Sequence, residues 1–343
     1  MLGKNQKLAI YMEQALGGSG GKMGHGVMRY IANPIACVID SLHAGKTVNE
    51  ACSLPHDFPV VSTIEEAIEL GAEVLVLGIA PSGGRIPEDW VPAIVKSIGN
   101  NMSIVNGLHD ELNPRFGELL QGEQWLWDIR QPGFVPSIGS AKASSLSNTR
   151  ILFLGTDMAV GKMTAGLELY RWLVDHGHST DFIATGQIGI TITGKGIPLD
   201  AFKVDHACGA VETMVMQAQE SDYVLVEGQG SILHPGSTAT LPLMRGTCPN
   251  RLVMCHKAGM LRTRADTVVP PLKDFIRLNE DLAACCGSLP TAKTIGVALN
   301  TMDLTDSEAS DTVKRLEDEL DLPVTDVVRH GTAKLGEALV SSR

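Results

Sequence analysis

The run Arg150–Thr164, RILFLGTDMAVGKMT, joins an apolar stretch to a glycine-containing loop and then to a lysine that opens a second periodic segment. This order of residue types is suited to holding phosphate. Gly155 and Gly161 let the backbone curl so that its N–H groups converge on anionic oxygens, and the start of the following helix adds positive potential. Lys162 contributes a full charge, and Thr156, Asp157, Met163 and Thr164 complete the expected contact set. Behind the lysine, Met163, Leu167, Tyr170 and Val174 recur at helical spacing, and Gly177 ends the segment. The flanks are therefore strand and helix, as a P-loop requires; the bland alternative is a strand-to-helix turn with a chance Gly-Lys. The usual Ser or Thr after the lysine is Met163 here. Thioether sulfur is a poor ligand for hard Mg²⁺, which favours phosphate binding over metal-dependent hydrolysis. Thr164 takes over the metal contact only if the helix start shifts.

Three further segments carry candidate groups. In Tyr223–Gly230, YVLVEGQG, an apolar run ends in Glu227, placed to hold Mg²⁺ or its water, or to act as a base. A solvent-facing glutamate before a turn is the alternative. In Thr294–Thr301, TIGVALNT, Asn300 ends a strand, either to read a base edge or to form a turn. Gly17–Arg29, GGSGGKMGHGVMR, presents Lys22, His25 and Arg29 to an anionic substrate, with His25 the candidate proton carrier. That segment lacks the GxGxxG register, so it also reads as a flexible loop with solvated basic groups. Asp40 stands where a Rossmann domain places its ribose-binding acid, and Pro81–Arg85, PSGGR, reads as a second anion-binding turn.

These groups need a scaffold of alternating strands and helices. Strands are expected at Leu8–Met12, Ala36–Ile39, Val60–Ser62, Val74–Ile79 and Ser103–Val105. A second series follows at Ile151–Leu154, Asp181–Ala184, Tyr223–Val226, Leu252–Cys255, Thr294–Leu299 and Val324–Val328. Helices are expected at Thr63–Leu70, Lys162–His176, Val211–Gln219 and near Ser307–Leu320. Gln131–Asn148 is rich in Gly, Pro and Ser and reads as a link. The fold class is α/β, with two doubly wound domains: a Rossmann-like one over residues 1–147 and a P-loop NTPase-like one over 148–343.

The 343 residues are more than one hydrophobic core usually serves, which agrees with that division. With 39 acidic against 28 basic residues and a net charge of -11, no basic face is available for nucleic acid or an anionic membrane. The partner is expected to be a small molecule, with a homo-oligomer the base-rate assembly. Cys37, Cys52, Cys208, Cys248, Cys255, Cys285 and Cys286 form no CxxC pair, and most of them read as small core residues of a reducing, cytoplasmic compartment. The histidines and cysteines also lack zinc-ligand spacing.

The set GTDMAVGK, VLVEGQG and GVALN resembles the dethiobiotin synthetase branch of P-loop proteins, by which Glu227 would lie near the metal and Asn300 near adenine. Phe182–Gln187, FIATGQ, lacks that branch's substrate-binding lysine. Nearly the whole chain is similar to a closer family. GGKMGHGVMRY, VLGIAPSGGRIPEDW, SIVNGLHDELN, WDIR and GTDMAVGKMT resemble the D-glutamate N-acetyltransferases of the DgcN type, long of unassigned function. The resemblance implies a Rossmann-like and a P-loop domain and transfer of acetyl from acetyl-CoA to an amine. In that family Met-Thr also follows the P-loop lysine. The expected ligand is thus acetyl-CoA or ATP; an ATP-dependent ligase or kinase of a small carboxylate, or a nucleotide-binding regulatory protein, is the alternative. Acetylation needs a deprotonated amine, and Glu227, Asp205, His206, His234 and His256 are the candidate bases. An acidic substrate needs cations, for which Arg29, Arg245, Arg262 and Arg264 are candidates.

Overall fold

The computed structural model describes residues 2–52 and 54–342; Met1 and Arg343, the outer ends of the two expected domains, lie outside the described residues. The chain forms two compact units, the first made of Met1–Pro132 with Gln187–Pro198, the second of Gly133–Gly186 with Leu199–Arg343.

Unit 1 runs through β1 (Leu8–Tyr11), α1 (Lys22–Tyr30), β2 (Ile35–Ile39), α2 (Val48–Cys52), β3 (Val60–Val61) and α3 (Ile64–Glu69). It continues with β4 (Val74–Leu77), α4 (Val91–Gly99), β5 (Ser103–Asn106), α5 (Asn113–Phe116) and β6 (Leu126–Asp128). The strands pair in parallel in the order β3-β2-β1-β4-β5-β6, which puts the switch point between β1 and β4. Strands β1 and β4 are buried along their whole length, as expected where helices cover both faces of a parallel sheet. On one face Tyr11 meets the Trp90 ring edge-on at 5.4 Å, within a core that includes Leu75, Leu77, Ile94 and Ile104. The start of α3 is set by a capping box: Thr63 accepts the Glu66 N–H, and the Glu66 carboxylate accepts the Thr63 N–H.

Unit 2 runs through β7 (Thr149–Gly155), α6 (Lys162–Asp175) and β8 (Thr180–Ile183), after which α7 (Gln187–Thr193) leaves to pack on α1 in unit 1. Next come α8 (Val204–Gln217), β9 (Tyr223–Val226), α9 (Thr240–Thr247), β10 (Arg251–Lys257) and α10 (Leu272–Ala284). The unit ends with β11 (Lys293–Asn300), α11 (Asp306–Leu320), β12 (Val324–Thr325) and α12 (Ala333–Ser341). Its parallel sheet has the order β12-β11-β10-β7-β9-β8, so β7 lies between β10 and β9. Among the described residues no helix is long and apolar enough to cross a membrane.

The two parallel-sheet α/β units are those read from the strand and helix pattern. Several elements differ in extent, each for a physical reason. Helix α8 begins at Val204 rather than Val211; Gly209, inside it, interrupts the apolar pattern that would mark its first turns. A Cβ on Gly209 would lie 1.7 Å from the Ser137 carbonyl oxygen, so the helix needs glycine there for the preceding segment to pack on it. The Gly/Pro/Ser-rich stretch is accordingly divided: Gly133 onward belongs to unit 2, whereas the sequence reading puts the border at 147/148. The nearly buried Glu212 carboxylate accepts the Ser140 N–H, the Ser140 hydroxyl and the Lys142 N–H, clamping this stretch to α8. β12 stops at Thr325 because the Asp326 carboxylate accepts the Thr301, Val328 and Arg329 N–H groups and turns the chain. Elements α1, α2, α4, α5, β6, α7, α9, α10 and α12 are additional to those expected, and α1 occupies much of the glycine-rich segment Gly17–Arg29.

Candidate phosphate and acyl-transfer site

Parallel pairing brings the C-terminal ends of β7, β9 and β10 to one edge of unit 2, and the loops that follow them carry the polar groups. All seven residues of β7 are buried, which fixes where its loop begins. At Gly155 a Cβ would sit 2.7 Å from Val160 Cγ2 and 3.1 Å from Lys162 Nζ, so only glycine lets the loop close over itself. Gly161 has φ +111, a backbone state that side chains disfavour, and α6 starts immediately after it. The ammonium of Lys162 folds back into the loop and donates to the Asp157 carbonyl at 2.8 Å, with the residue only 6% exposed. Burial lowers its pKa, opposed by Cys255, Asp157 and Glu227 nearby.

The Asp157 side chain braces the loop. One oxygen accepts the Met158 N–H at 2.7 Å and the other the Arg264 N–H at 2.7 Å, from the segment after β10. Thr156 donates its N–H to the Cys255 carbonyl, and its hydroxyl lies 2.9 Å from His256 Nδ1. Burial pushes His256 down to about 4, so a neutral imidazole stands there at neutral pH.

Glu227 follows β9. Its Oε2 accepts the Thr185 N–H at 2.9 Å and the Gly186 N–H at 3.2 Å, and its Oε1 accepts from Gln229 Nε2 at 3.2 Å. Burial raises its pKa to about 7; the Thr185 and Gly186 amides, the Lys162 ammonium and Gln229 pull in the opposite direction. The next residue must be glycine, since a Cβ on Gly228 would lie 1.6 Å from the Phe153 carbonyl oxygen and 2.9 Å from Lys162 Cδ. The Glu227 turn is thereby pressed against β7 and the stem of Lys162.

The donor set does not suit Mg²⁺. Helix α6 starts at Lys162, so Met163 keeps the position where a hydroxyl would ligate, and Thr164 is not shifted into it. Both oxygens of Glu227 are already engaged, Oε2 by the Thr185 and Gly186 amides and Oε1 by Gln229.

The other candidates are dispersed. Asp205 is exposed in the first turn of α8, whose N-cap is Lys203, and so it does not cap the helix. His206 Nδ1 lies 2.9 Å from the Pro136 carbonyl, where it fastens the preceding segment. His234 Nδ1 accepts the Gly236 N–H in its own loop. Arg245 is exposed in the last turn of α9, which leads into the start of β10 and hence toward the edge opposite the P-loop. Asn300 ends β11 and its side-chain oxygen accepts the Met302 N–H, a turn-forming use. Lys22, His25 and Arg29 share one face of α1 and belong to unit 1, whereas the P-loop group belongs to unit 2. The His25 Nε2–H donates to the Leu16 carbonyl at 2.7 Å, and burial lowers the pKa of the ring. Asp40 is fully buried, and its oxygens accept the Gln14, Leu16 and Leu42 N–H groups, so it shapes the loop after β1 instead of facing a ribose. The Thr185 and Gly186 amides escaped sequence reasoning, because only the β8–β9 pairing brings them to Glu227; Gln229 lies two residues along the same segment, where nothing in its spacing marks the contact.

Comparison with known proteins agrees with this architecture. A family described as a domain of unknown function matches in two parts, a Rossmann-like domain over residues 41–132 and a P-loop domain over residues 137–336. The chain belongs to the DUF1611 family. A DUF1611 family protein from Anabaena variabilis has a crystal structure that superposes with a TM-score of 0.95 at 42% identity, covering 98% of this chain and 100% of that one. A D-glutamate N-acetyltransferase from Pseudoalteromonas sp is 36% identical over 276 residues, 78% of this chain and 82% of that protein. A second D-glutamate N-acetyltransferase, from Tritonibacter scottomollicae, is 33% identical over 287 residues, 81% and 84% of the two chains. The family resemblance read from the sequence motifs is thus borne out, together with its Rossmann-like and P-loop halves.

Proposed function

We propose that this chain is an N-acetyltransferase that moves acetyl from acetyl-CoA to the amine of D-glutamate or a similar acidic amino acid. The activity assigned to the two relatives supports the reaction class. The observation that carries the reading here is a P-loop whose lysine is in place while its metal-binding hydroxyl is replaced by Met163. Such a loop serves as a handle for phosphates, and coenzyme A carries a diphosphate and a ribose phosphate that need holding but no cleavage. Gly155, Thr156, Asp157, Gly161, Lys162, Met163 and Thr164 form that handle. Glu227, titrating near 7 beside it, is the base of choice, because a catalytic pKa near the working pH combines availability with proton affinity. In the transfer the amine nitrogen bonds to the thioester carbonyl carbon, the carbon–sulfur bond breaks, Glu227 takes the nitrogen's proton, and the thiolate leaves to be protonated. Neutral His256, held by Thr156, offers a hydrogen bond without competing for that proton.

The test is release of free thiol from acetyl-CoA on addition of D-glutamate, with N-acetylglutamate identified by mass. Thiol release that depends on the D-isomer is the expected result. Release of ADP or phosphate from ATP with candidate carboxylates, and none of thiol, would instead select the ligase or kinase reading.

A further inference from the structure

A buried carboxylate inside a phosphate-binding loop repels the ligand unless its charge is committed elsewhere. Asp157, 1% exposed, is such a carboxylate, and part of its charge is met by the backbone N–H of Arg264. That bond fixes Arg264 beside the loop through its main chain and leaves its side chain exposed. The segment carrying it is a tight hairpin. Arg262 and Val268 bridge in antiparallel fashion, the Thr263 N–H donates to the Thr267 carbonyl at 2.8 Å, and the Val269 N–H donates to the Leu261 carbonyl at 2.9 Å. The hydroxyl of Thr267 donates to the Leu233 carbonyl at 2.8 Å, so the hairpin is pinned to the loop after β9 as well as to the P-loop. Neighbouring cations are taken: Arg262 pairs with Asp266 and Lys257 with Asp303. Among the described residues no carboxylate pairs with Arg264.

We propose that Arg264 is a second phosphate-binding residue of the P-loop site, clasping a phosphoryl group that Lys162 does not reach. Lys162 is buried within the loop with its ammonium on the Asp157 carbonyl, so its reach is confined to the cradle. A nucleotide-type ligand carries a diphosphate, and coenzyme A adds a ribose phosphate, more charge than one ammonium matches. A guanidinium fork takes two phosphate oxygens together, and its exposed position at the loop's rim suits a group outside the cradle. Arg264 thereby changes from a candidate partner of the amino acid's carboxylate to a partner of the phosphates. The assignment rests on the reading that the P-loop holds a phosphorylated ligand.

Titration calorimetry with coenzyme A, and separately with ADP, tests it on the full chain and on Arg264→Ala, Arg264→Gln, Arg264→Lys and Lys162→Ala. Removing the guanidinium is expected to weaken coenzyme A by about tenfold or more, with Lys recovering part of the loss. The melting temperature should stay put, because the bond to Asp157 is made by the backbone. If Arg264→Ala melts early, Arg264→Gln, which preserves much of the stem's packing, is read instead. Coenzyme A bound tightly, weakened by Lys162→Ala but unchanged by both neutral Arg264 variants, would overturn the role of Arg264 and leave the P-loop reading standing. Failure of the unaltered chain to bind coenzyme A would sink the acyl-donor reading, and the ADP titrations then decide Arg264 by the same comparison. Binding of neither ligand overturns both.

Discussion

At the scale of single residues, the site turns on two buried ionisable groups whose environments push them opposite ways from their solution values. Glu227 rises to about 7 while His256 falls to about 4, both because burial penalises charge. Activity is therefore expected to fall on the acid side with one ionisation near 7, measured as kcat/KM for the amine against pH. His256→Gln should leave that limb in place, whereas Glu227→Gln should lower kcat by about 10²–10⁴ and alter affinity for acetyl-CoA little. A kcat within a few-fold of the unaltered enzyme would remove Glu227 from the reaction. The same shift has a stability consequence. An acid whose folded pKa lies above its unfolded 4.5 binds more protons when folded, so its stability contribution declines as pH rises from 4.5 to 7. Glu227→Gln is expected to stabilise the chain at about pH 8, by on the order of 3 kcal/mol, and to lose that advantage near pH 5, in paired urea titrations. Lys162 and its glycines were legible in the sequence because their chemistry is local to one loop. The braces on Asp157 and Glu227 were not, since Arg264, Thr185 and Gly186 reach them from other strands.

The elements position these residues through a few buried polar anchors as much as through apolar packing. Arg150, 1% exposed in β7, donates to the carbonyls of Leu146, Asn148 and Cys248, tying the start of the P-loop strand to the end of α9. Arg150→Met keeps an apolar stem but leaves those carbonyls without donors, each worth about 1–3 kcal/mol when unsatisfied. A loss of roughly 3 kcal/mol or more in chemical denaturation is expected; a loss under about 1 kcal/mol would mean water or rearrangement satisfies the carbonyls. Strands were readable because buried parallel strands are near-continuous apolar runs, as in VLVL of β4 and YVLV of β9. Helix α10 had its signal in Leu272, Phe275, Ile276, Asn279 and Ala283, all buried at helical spacing. The full length of α8 did not, because Gly209 serves the packing of Ser137 and breaks the pattern.

For the whole molecule, chain order and spatial order part company at Gln187. Helix α7 follows the second strand of the P-loop unit yet belongs to the Rossmann-like one, and no composition shift in QIGITIT announces it. Ile190, 3% exposed, is its apolar anchor. Ile190→Ala is expected to cost about 2–4 kcal/mol locally, read by hydrogen exchange as lost protection in α1 with β7 and α6 unaffected; equal loss in both units would contradict the assignment of α7. The division into two α/β sheets was legible from the repeated strand–helix alternation, but where the chain crosses between them depends on tertiary contacts. The central claim is that the loop from Gly155 to Thr164 holds the phosphates of the acyl donor. Competition binding tests it most directly: acetyl-CoA is titrated into the unaltered chain and Lys162→Ala, each with and without saturating ADP. Displacement by ADP and a loss of at least about tenfold in Lys162→Ala are predicted; acetyl-CoA binding that neither ADP nor removal of Lys162 disturbs would contradict the account.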